Sequence, residues 1–168
     1  MEKKIIVFMP SIEGGGVEKN LFLVSNYLAE KLSNLSIITA SKKFNKKFNK
    51  KINLIYPQSS NWDNLTRRIK YIICLFLLFL ELRKNKRILV FCFQANIYCI
   101  LLCKLFKTKI LIRSNSSPSG WSKNPIKILI YKKVLNMADK IMVNSLEFKK
   151  QLKNNFNLKS ECIYNPLN

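Results

Sequence analysis

The sequence of 168 residues contains no histidine. That absence excludes a Ser-His-Asp triad, a Cys-His pair, an imidazole general base and a histidine-ligated metal. The five cysteines form no Cys-x-x-Cys pair, and four of them lie in apolar runs, so we expect free thiols, mostly buried, in a reducing cytoplasm. The sequence therefore predicts no metal site and no bound cofactor.

Acidic residues are also scarce. Nine Asp and Glu stand against 30 Lys and Arg, which gives a formal net charge of +21. Only five of these cations are Arg, the residue favoured for bidentate phosphate and guanine contacts, so much of the charge reflects a Lys-rich composition. A field of this sign still attracts nucleic acid and anionic membranes. Residues 42–51, with Phe44 and Phe48 among lysines, either stack bases or cover a sheet edge, and no nucleic-acid signature accompanies them.

Long hydrophobic runs are missing too. The apolar residues 5–9 are too few for a signal-peptide core, and the longest apolar run, residues 71–80, is half the roughly 20 residues that span a bilayer. This run has two interpretations: an ordinary core helix, which we favour slightly, or a helix lying in an anionic membrane surface. In the second, the flanking cations face lipid headgroups: Arg67, Arg68, Lys70 and Arg83.

What the chain does have is a regular alternation of short β-branched runs and helical segments. Strands are predicted at residues 5–9, 37–40, 52–56, 88–93, 109–113, 140–143 and 161–164. Helices are predicted at residues 17–32, 63–83 with Asp63 as N-cap, 95–106, 125–137 and 145–154 with Ser145 as cap. This pattern predicts one α/β domain over residues 1–168, a Rossmann-like doubly wound parallel sheet with helices on both faces.

Ligands of such sheets bind beyond the carboxyl ends of the strands. The loop after the first strand holds Gly14, Gly15 and Gly16, three of the four glycines in the chain, just before a helix. Their bare backbone N–H groups suit a phosphate or sugar hydroxyls, although a turn without ligand has the same sequence. Arg113 ends an apolar strand, and its charge requires either a ligand in the cleft or an internal partner.

Four segments carry a resemblance to a known family. They are residues 14–19 (GGGVEK) after the first strand, 112–118 (IRSNSSP), 138–147 (ADKIMVNSLE) and the closing residues 163–168 (IYNPLN). In this order and spacing the chain resembles the N-terminal domain of glycosyltransferase family 4, a retaining group with the GT-B fold.

The resemblance implies an enzyme of polysaccharide biosynthesis that transfers a sugar from a nucleotide-sugar donor to a glycan or lipid-linked acceptor, in the cytoplasm or at the inner face of the membrane. It implies that Gly14, Gly15 and Gly16 face the donor phosphates. It further implies that the acceptor side of the cleft holds Glu18, Lys19, Arg113, Asn115, Asn144 and Ser145. No metal or cofactor is implied, and no catalytic residue is identified.

The sequence departs from this family in two respects. The histidine common on the acceptor side is missing, and the donor-binding domain has no counterpart in these 168 residues. We therefore expect the isolated chain not to turn over, and we expect its partner to be a donor-binding domain or a separate chain. The alternative function is a non-catalytic basic module that binds nucleic acid or an anionic membrane.

Overall fold

The computed structural model describes residues 3–58, 60–116, 122 and 124–166, which form one all-parallel sheet with helices on both faces. The strand order is β3-β2-β1-β4-β5-β6-β7. The predicted Rossmann-like class is therefore confirmed. The strands are β1 (Lys4–Phe8), β2 (Leu35–Ile38), β3 (Asn53–Ile55), β4 (Ile88–Cys92), β5 (Lys109–Ser114), β6 (Lys140–Val143) and β7 (Glu161–Cys162).

Five α-helices connect these strands in the part of the chain that the structure describes, together with two short 3₁₀ helices, Lys42–Lys47 and Ser60–Asn64. Ser145 caps the last helix as predicted, because its hydroxyl oxygen accepts a hydrogen bond from the Phe148 N–H at 3.1 Å. The α-helices are α1 (Gly16–Lys31), α2 (Arg67–Lys84), α3 (Asn96–Leu105), α4 (Pro125–Leu135) and α5 (Leu146–Phe156).

Two local predictions are wrong. Asp63 does not cap α2, which begins at Arg67, because residues 60–64 form a 3₁₀ helix whose Trp62 packs against the core. Residues 42–47 are also a 3₁₀ helix rather than a loop. The phenyl rings of Phe44 and Phe48 lie 6.1 and 5.0 Å from that of Phe22 on α1, so both rings pack against this helix instead of standing free to stack on bases.

The core consists of two apolar layers, one on each face of the sheet. Helices α2 to α5 cover one face, where side chains such as Leu78, Ile100 and Ile112 are fully buried. Helix α1 and the first 3₁₀ helix cover the other face through Leu21 and Phe48. The chain runs outward from β1 to β2 and β3, and from β4 to β7, so the strand order reverses between β1 and β4. Loops diverge at such a switch point and leave a crevice at the carboxyl edge.

The cysteines are unpaired thiols, and Cys74, Cys92, Cys99 and Cys103 are buried as predicted. Burial raises the pKa of the Cys74 thiol to about 12, which keeps it in the unreactive protonated form. Within the described residues no cluster of three Cys, Asp or Glu side chains is placed to hold a metal ion. Nor does any helix there have the length and apolarity needed to cross a bilayer.

Candidate functional site

A cavity of about 310 Å³ opens at the carboxyl edge of the sheet, beside the ends of β4 and β5. Its polar lining comes from the loops that follow these strands and from the first turn of α3. Its apolar lining comes from deeper side chains on α4, β6 and α5, including Leu135, Ile141 and Leu152. A concave apolar site with a few convergent polar groups is the usual form of a small-molecule site.

Arg113 is the most unusual residue of this cavity. It is only 2 % exposed, and its Nη2 donates a hydrogen bond to Asn165 Oδ1 at 2.6 Å. Its guanidinium carbon lies 5.8 Å from the Phe93 ring, while its Nε is buried with no hydrogen-bond partner. Among the described residues no carboxylate pairs with it, and burial lowers the pKa of Arg113. A buried cation with so few partners is costly unless an anionic or polar ligand completes its shell.

Amide side chains tie the two neighbouring loops together around this arginine. Asn96 Nδ2 donates to the Arg113 carbonyl oxygen at 3.1 Å, and Asn115 Nδ2 donates to the Phe93 carbonyl oxygen at 3.1 Å. Asn96 Oδ1 is buried and has no partner. The residue before it, Ala95, has a left-handed backbone with φ 55° and ψ 35°. Such strained positions are concentrated at ligand sites, where the surrounding structure holds them in place.

Asn144 and Ser145, the two predicted site residues after β6, differ in their hydrogen bonds. Ser145 uses its hydroxyl oxygen to cap α5, so this acceptor is committed to the helix. Asn144 Oδ1 is buried without a hydrogen-bond partner. Because β5 and β6 are adjacent and parallel, Asn144 and Arg113 lie at the same edge of the sheet. Asn144 is therefore the member of this pair with an acceptor free for a ligand.

The glycine loop carries negative charge of its own. Gly14 has a φ of +94°, and Gly15 is the N-cap of α1 with no side-chain cap. Glu18 is buried and accepts a hydrogen bond from the Glu13 N–H at 3.4 Å, and the Glu13 carboxylate binds Arg67 at 3.0 and 2.6 Å. The Arg67 hydrogen bond holds the pKa of Glu13 below its usual range. A phosphate at this helix N-terminus would therefore meet the Glu18 carboxylate unless that side chain turns away.

The four cations predicted for a membrane surface are not all exposed to solvent. Lys70 is 4 % exposed and donates to the Asp63 carbonyl oxygen at 2.9 Å, so its inclusion was wrong. The reason is helical periodicity, since Lys70 shares the stripe that α2 buries against the sheet. Arg67 pairs with Glu13, whereas Arg68 is exposed and Arg83 is exposed beside the Phe79 ring at 5.7 Å.

The structure thus brings together only part of the predicted site. Arg113 and Asn115 line the cavity at the end of β5, and Asn144 follows the adjacent strand β6 at the same edge of the sheet. Glu18 and the exposed Lys19 lie on α1, which follows the more distant strand β1. Asn96 and Asn165 are not among the predicted site residues. Asn96 comes shortly after β4, and this position places it at the carboxyl edge of the sheet. Asn165 belongs to the closing segment 163–168, but no pattern in the sequence indicates that it reaches Arg113, 52 residues away.

No protein-family model and no curated protein sequence matches this chain. Solved structures do match it. The Anabaena protein HepE, in complex with UDP and glucose, superposes with a TM-score of 0.68 at 12% identity over 99% of this chain and 45% of HepE. A glycosyltransferase from Rickettsia africae superposes with a TM-score of 0.62 at 22% identity, over 97% of this chain and 43% of that protein.

The lipopolysaccharide outer core galactosyltransferase WaaB is similar as well, with a TM-score of 0.61 and 16% identity, over 98% of this chain and 46% of WaaB. This chain therefore spans less than half the length of each of these three proteins. At these identities the likeness concerns the fold. The described residues have the Rossmann-like domain fold of GT-B glycosyltransferases.

Proposed function

We propose that this chain is the acceptor-side domain of a retaining glycosyltransferase of the family 4 type. The complete enzyme would transfer a sugar from a nucleotide-sugar donor to a hydroxyl group of a glycan or lipid-linked acceptor during polysaccharide synthesis. The fold likeness supports the enzyme class, and HepE was solved with UDP and with glucose. The observation that carries the proposal is the buried and incompletely paired Arg113 at the carboxyl edge of the sheet.

The acceptor in this proposal carries an anionic group as well as hydroxyls. Arg113 has donors beyond the single hydrogen bond to Asn165, and Asn96 and Asn144 each have a free carbonyl oxygen for a sugar hydroxyl. Charge-assisted hydrogen bonds to phosphate or carboxylate are the strongest that arginine forms. The apolar floor of the cavity suits the carbon face of a sugar ring.

The donor would bind mainly to a second domain, across a cleft from this one. Gly14, Gly15 and Gly16 face the donor phosphates in this proposal, with Lys19 nearby and Glu18 turned outward when the donor is bound. We assign no catalytic residue, no metal and no cofactor to this chain, and we place it in the cytoplasm. Because most donor contacts would lie on that second domain, sugar transfer by these 168 residues without an added partner would contradict the proposal.

A binding experiment tests the acceptor site directly. Calorimetric titration of the chain with hexose 1-phosphates and the matching neutral hexoses should show tighter binding of the phosphates. Arg113→Met should weaken phosphate binding by about 10-fold or more, since hydrogen bonds to charged groups contribute about 1.5–3 kcal/mol. The control is Lys109→Met, an exposed cation at the amino end of the same strand. An equal loss in both variants, or no binding at all, would overturn the proposal.

A basic module that binds nucleic acid is the second candidate, favoured by the net charge of +21. Its affinity for a mixed-sequence duplex should fall steeply between 50 and 200 mM NaCl, by roughly 10³-fold or more if six or more phosphates are contacted. Hexose phosphate binding at Arg113 involves about one charge pair and should change far less. A steep salt dependence of duplex binding together with no hexose phosphate binding would favour this second function.

A further inference from the structure

The amino edge of the sheet has a cavity whose polar lining is almost entirely basic. It measures about 310 Å³ and lies where β1, β4 and β5 begin, at the opposite edge from the Arg113 cavity. The buried residues Ile88 and Thr108 line it, and no acidic residue is among the described residues that do so. The rest of the lining consists of five exposed cations, Lys3, Lys86, Arg87, Lys107 and Lys109. We call this the basic edge cavity.

The five cations come from three separate segments of the chain. Lys3 precedes β1, while Lys86 and Arg87 precede β4. Lys107 and Lys109 lie at the start of β5. These three strands are neighbours in the parallel sheet and begin at the same edge. The fold therefore brings this charge together, and no single lysine-rich run accounts for it.

Within the described part of the chain, none of the five cations forms an ion pair or a side-chain hydrogen bond. The carboxylates near this edge are bound to other lysines. Glu81 binds Lys4 at 2.6 Å and Lys84 at 3.4 Å, and Asp139 binds Lys104 at 2.8 Å. Like charges that converge without such partners repel one another, and a bound anion relieves that repulsion.

Helix ends do not account for these cations. Lysine and arginine in the last turn of a helix stabilise it through the helix dipole. Arg83 and Lys84 already occupy the last turn of α2, and Lys104 occupies that of α3. The five cations of the basic edge cavity lie beyond the helix ends, where the effect of the dipole has fallen off. A ligand explains them better than helix stability does.

Lys107 has a backbone conformation that does not suit lysine. Its φ is 52°, in the left-handed region. The Lys107 N–H donates to the Lys104 carbonyl oxygen at 3.0 Å, and the Thr108 N–H donates to that of Cys103 at 2.8 Å. This is the Schellman pattern, in which glycine or asparagine is usual at the left-handed position. Asn157 has the corresponding conformation at the end of α5. Lys107 thus gains nothing from its backbone, while its side chain lines the basic edge cavity.

We propose that the basic edge cavity binds a soluble oligophosphate, an anion with two or three linked phosphate groups. A phosphate group carries a charge of about −1.5 to −2 at pH 7, so two or three of them balance five cations, whereas a single phosphate leaves most of the charge unpaired. Lysine and arginine form charge-assisted hydrogen bonds with phosphate oxygens. No aromatic ring lines the cavity among the described residues, so recognition rests on the phosphates and not on a base. This inference does not depend on the proposed enzymatic function.

Calorimetric titration of the full chain tests the proposal, with tripolyphosphate, pyrophosphate and phosphate as probes at one ionic strength. Tripolyphosphate should bind at least about 10-fold more tightly than phosphate, because it pairs with more of the cations. Lys86→Gln/Arg87→Gln should weaken tripolyphosphate binding by about 10-fold or more, since hydrogen bonds to two charged groups are lost. The control is Lys149→Gln/Lys150→Gln, two exposed lysines on α5, which removes the same charge elsewhere and should change the affinity far less.

Lys107→Asn separates ligand binding from the structural role of the helix end. Asparagine suits the left-handed backbone, so the melting temperature should be kept or raised. The affinity for tripolyphosphate should fall, because one cation of the cavity is lost. A lower melting temperature with unchanged tripolyphosphate affinity would mean that Lys107 is a structural residue, and would contradict its place in the site.

Amide chemical-shift mapping locates the site. Saturable shifts with tripolyphosphate are expected at residues 86–88 and 107–109, and they should persist in Arg113→Met, since Arg113 lies at the other edge. Unchanged circular dichroism and unfolding midpoints establish that the variants fold. Equal losses in the two double variants, tripolyphosphate binding no tighter than that of phosphate, or binding only of an oligothymidylate or of phosphatidylglycerol vesicles through these cations would each overturn the proposal.

Discussion

Arg113 is a buried cation whose position the packing of the fold does not explain. Its guanidinium is almost fully shielded from water, yet it has one side-chain hydrogen bond, a nearby ring and no carboxylate partner among the described residues. A stable core would place an apolar residue there, because an incompletely compensated buried charge is unfavourable. The position is therefore better explained by a ligand than by folding.

Arg113→Met should increase the free energy of unfolding by about 1 kcal/mol while it removes phosphate binding. Asn165 loses its partner in this variant, but it is exposed and water can replace the guanidinium. Urea unfolding followed by circular dichroism measures the change. A loss of more than about 1 kcal/mol would mean that Arg113 is a structural residue.

Glu81 makes the stability of the fold depend on pH. Although burial raises its pKa, the hydrogen bond from Lys4 at 2.6 Å and the neighbouring Lys84 outweigh burial, and the pKa of Glu81 is lowered overall. A carboxyl group whose pKa is lower in the folded state stabilises the protein above its unfolded pKa of about 4.3. This contribution, on the order of 1 kcal/mol, is lost as the pH falls through the folded pKa.

Unfolding experiments from pH 6 to pH 3 measure the contribution of ionised Glu81 to stability. The difference in stability between wild type and Glu81→Gln should be largest near pH 6 and should shrink below about pH 4.3. A constant difference across this range would show that the Lys4 contact has no electrostatic contribution. Glu30→Gln, on exposed α1 surface, is the control.

At the scale of elements, the glycine loop before α1 has three positions with different demands. Gly14 has a φ of +94°, which L side chains rarely adopt. A Cβ on Gly15 would lie 2.9 Å from Glu18 Oε2, and a Cβ on Gly16 would meet nothing within 4 Å. The loop conformation therefore requires glycine at position 14, and the Glu18 carboxylate leaves little room for a side chain at position 15. Gly16 can be replaced by a larger residue.

Gly14→Ala should destabilise the fold by about 1 kcal/mol through backbone strain, while Gly16→Ala should be neutral or slightly stabilising because it reduces the entropy of the unfolded chain. Thermal unfolding of the two variants side by side measures the difference. Equal destabilisation by both would contradict the role given to the positive φ of Gly14.

The junction between β6 and α5 gives a second pair of matched substitutions. Ser145→Ala removes the hydroxyl that caps α5 and should cost about 1 kcal/mol. Asn144→Ala removes a carbonyl oxygen that has no partner, so stability should be kept and hexose phosphate binding should weaken. The reverse pattern would mean that Asn144 is structural and Ser145 contacts the ligand.

Most strands and helices were predictable from the sequence. The strands are short apolar runs rich in β-branched residues, and the segments between them have apolar residues at helical spacing. The predictions were wrong where tertiary packing determines the local structure. Trp62 packs against the core and keeps residues 60–64 out of α2, so Asp63 is no cap. Residues 71–80 of α2 are apolar on all sides, so the sequence alone does not indicate that Lys70, just before them, points inward. Arg113 stood out as a charge after an apolar strand, but its partner Asn165 depends on how β7 is placed.

At the scale of the whole molecule, the positive charge has two parts. Much of it is spread over the surface, including the α1 side, and reflects a Lys-rich composition. Another part is concentrated at the amino edge of the sheet, where five cations line a cavity of about 310 Å³: Lys3, Lys86, Arg87, Lys107 and Lys109. The proposed sugar site lies at the opposite, carboxyl edge.

The net charge also predicts a response to salt. Because +21 charges repel one another in the compact state, raising NaCl from 50 to 500 mM should stabilise the fold by screening. A gain of about 1 kcal/mol corresponds to a melting temperature higher by roughly 2–4 °C for a chain of this size. A lower melting temperature in salt would show that the five described ion pairs outweigh the repulsion.

The proposed function depends on sugar binding at the carboxyl edge around Arg113. Amide chemical-shift mapping during titration with a hexose 1-phosphate tests it most directly. Saturable shifts are expected at residues 93–98, 112–116 and 144–145, and these shifts should be absent in Arg113→Met. Shifts confined to the lysine-rich segments, or an unchanged pattern in that variant, would contradict it.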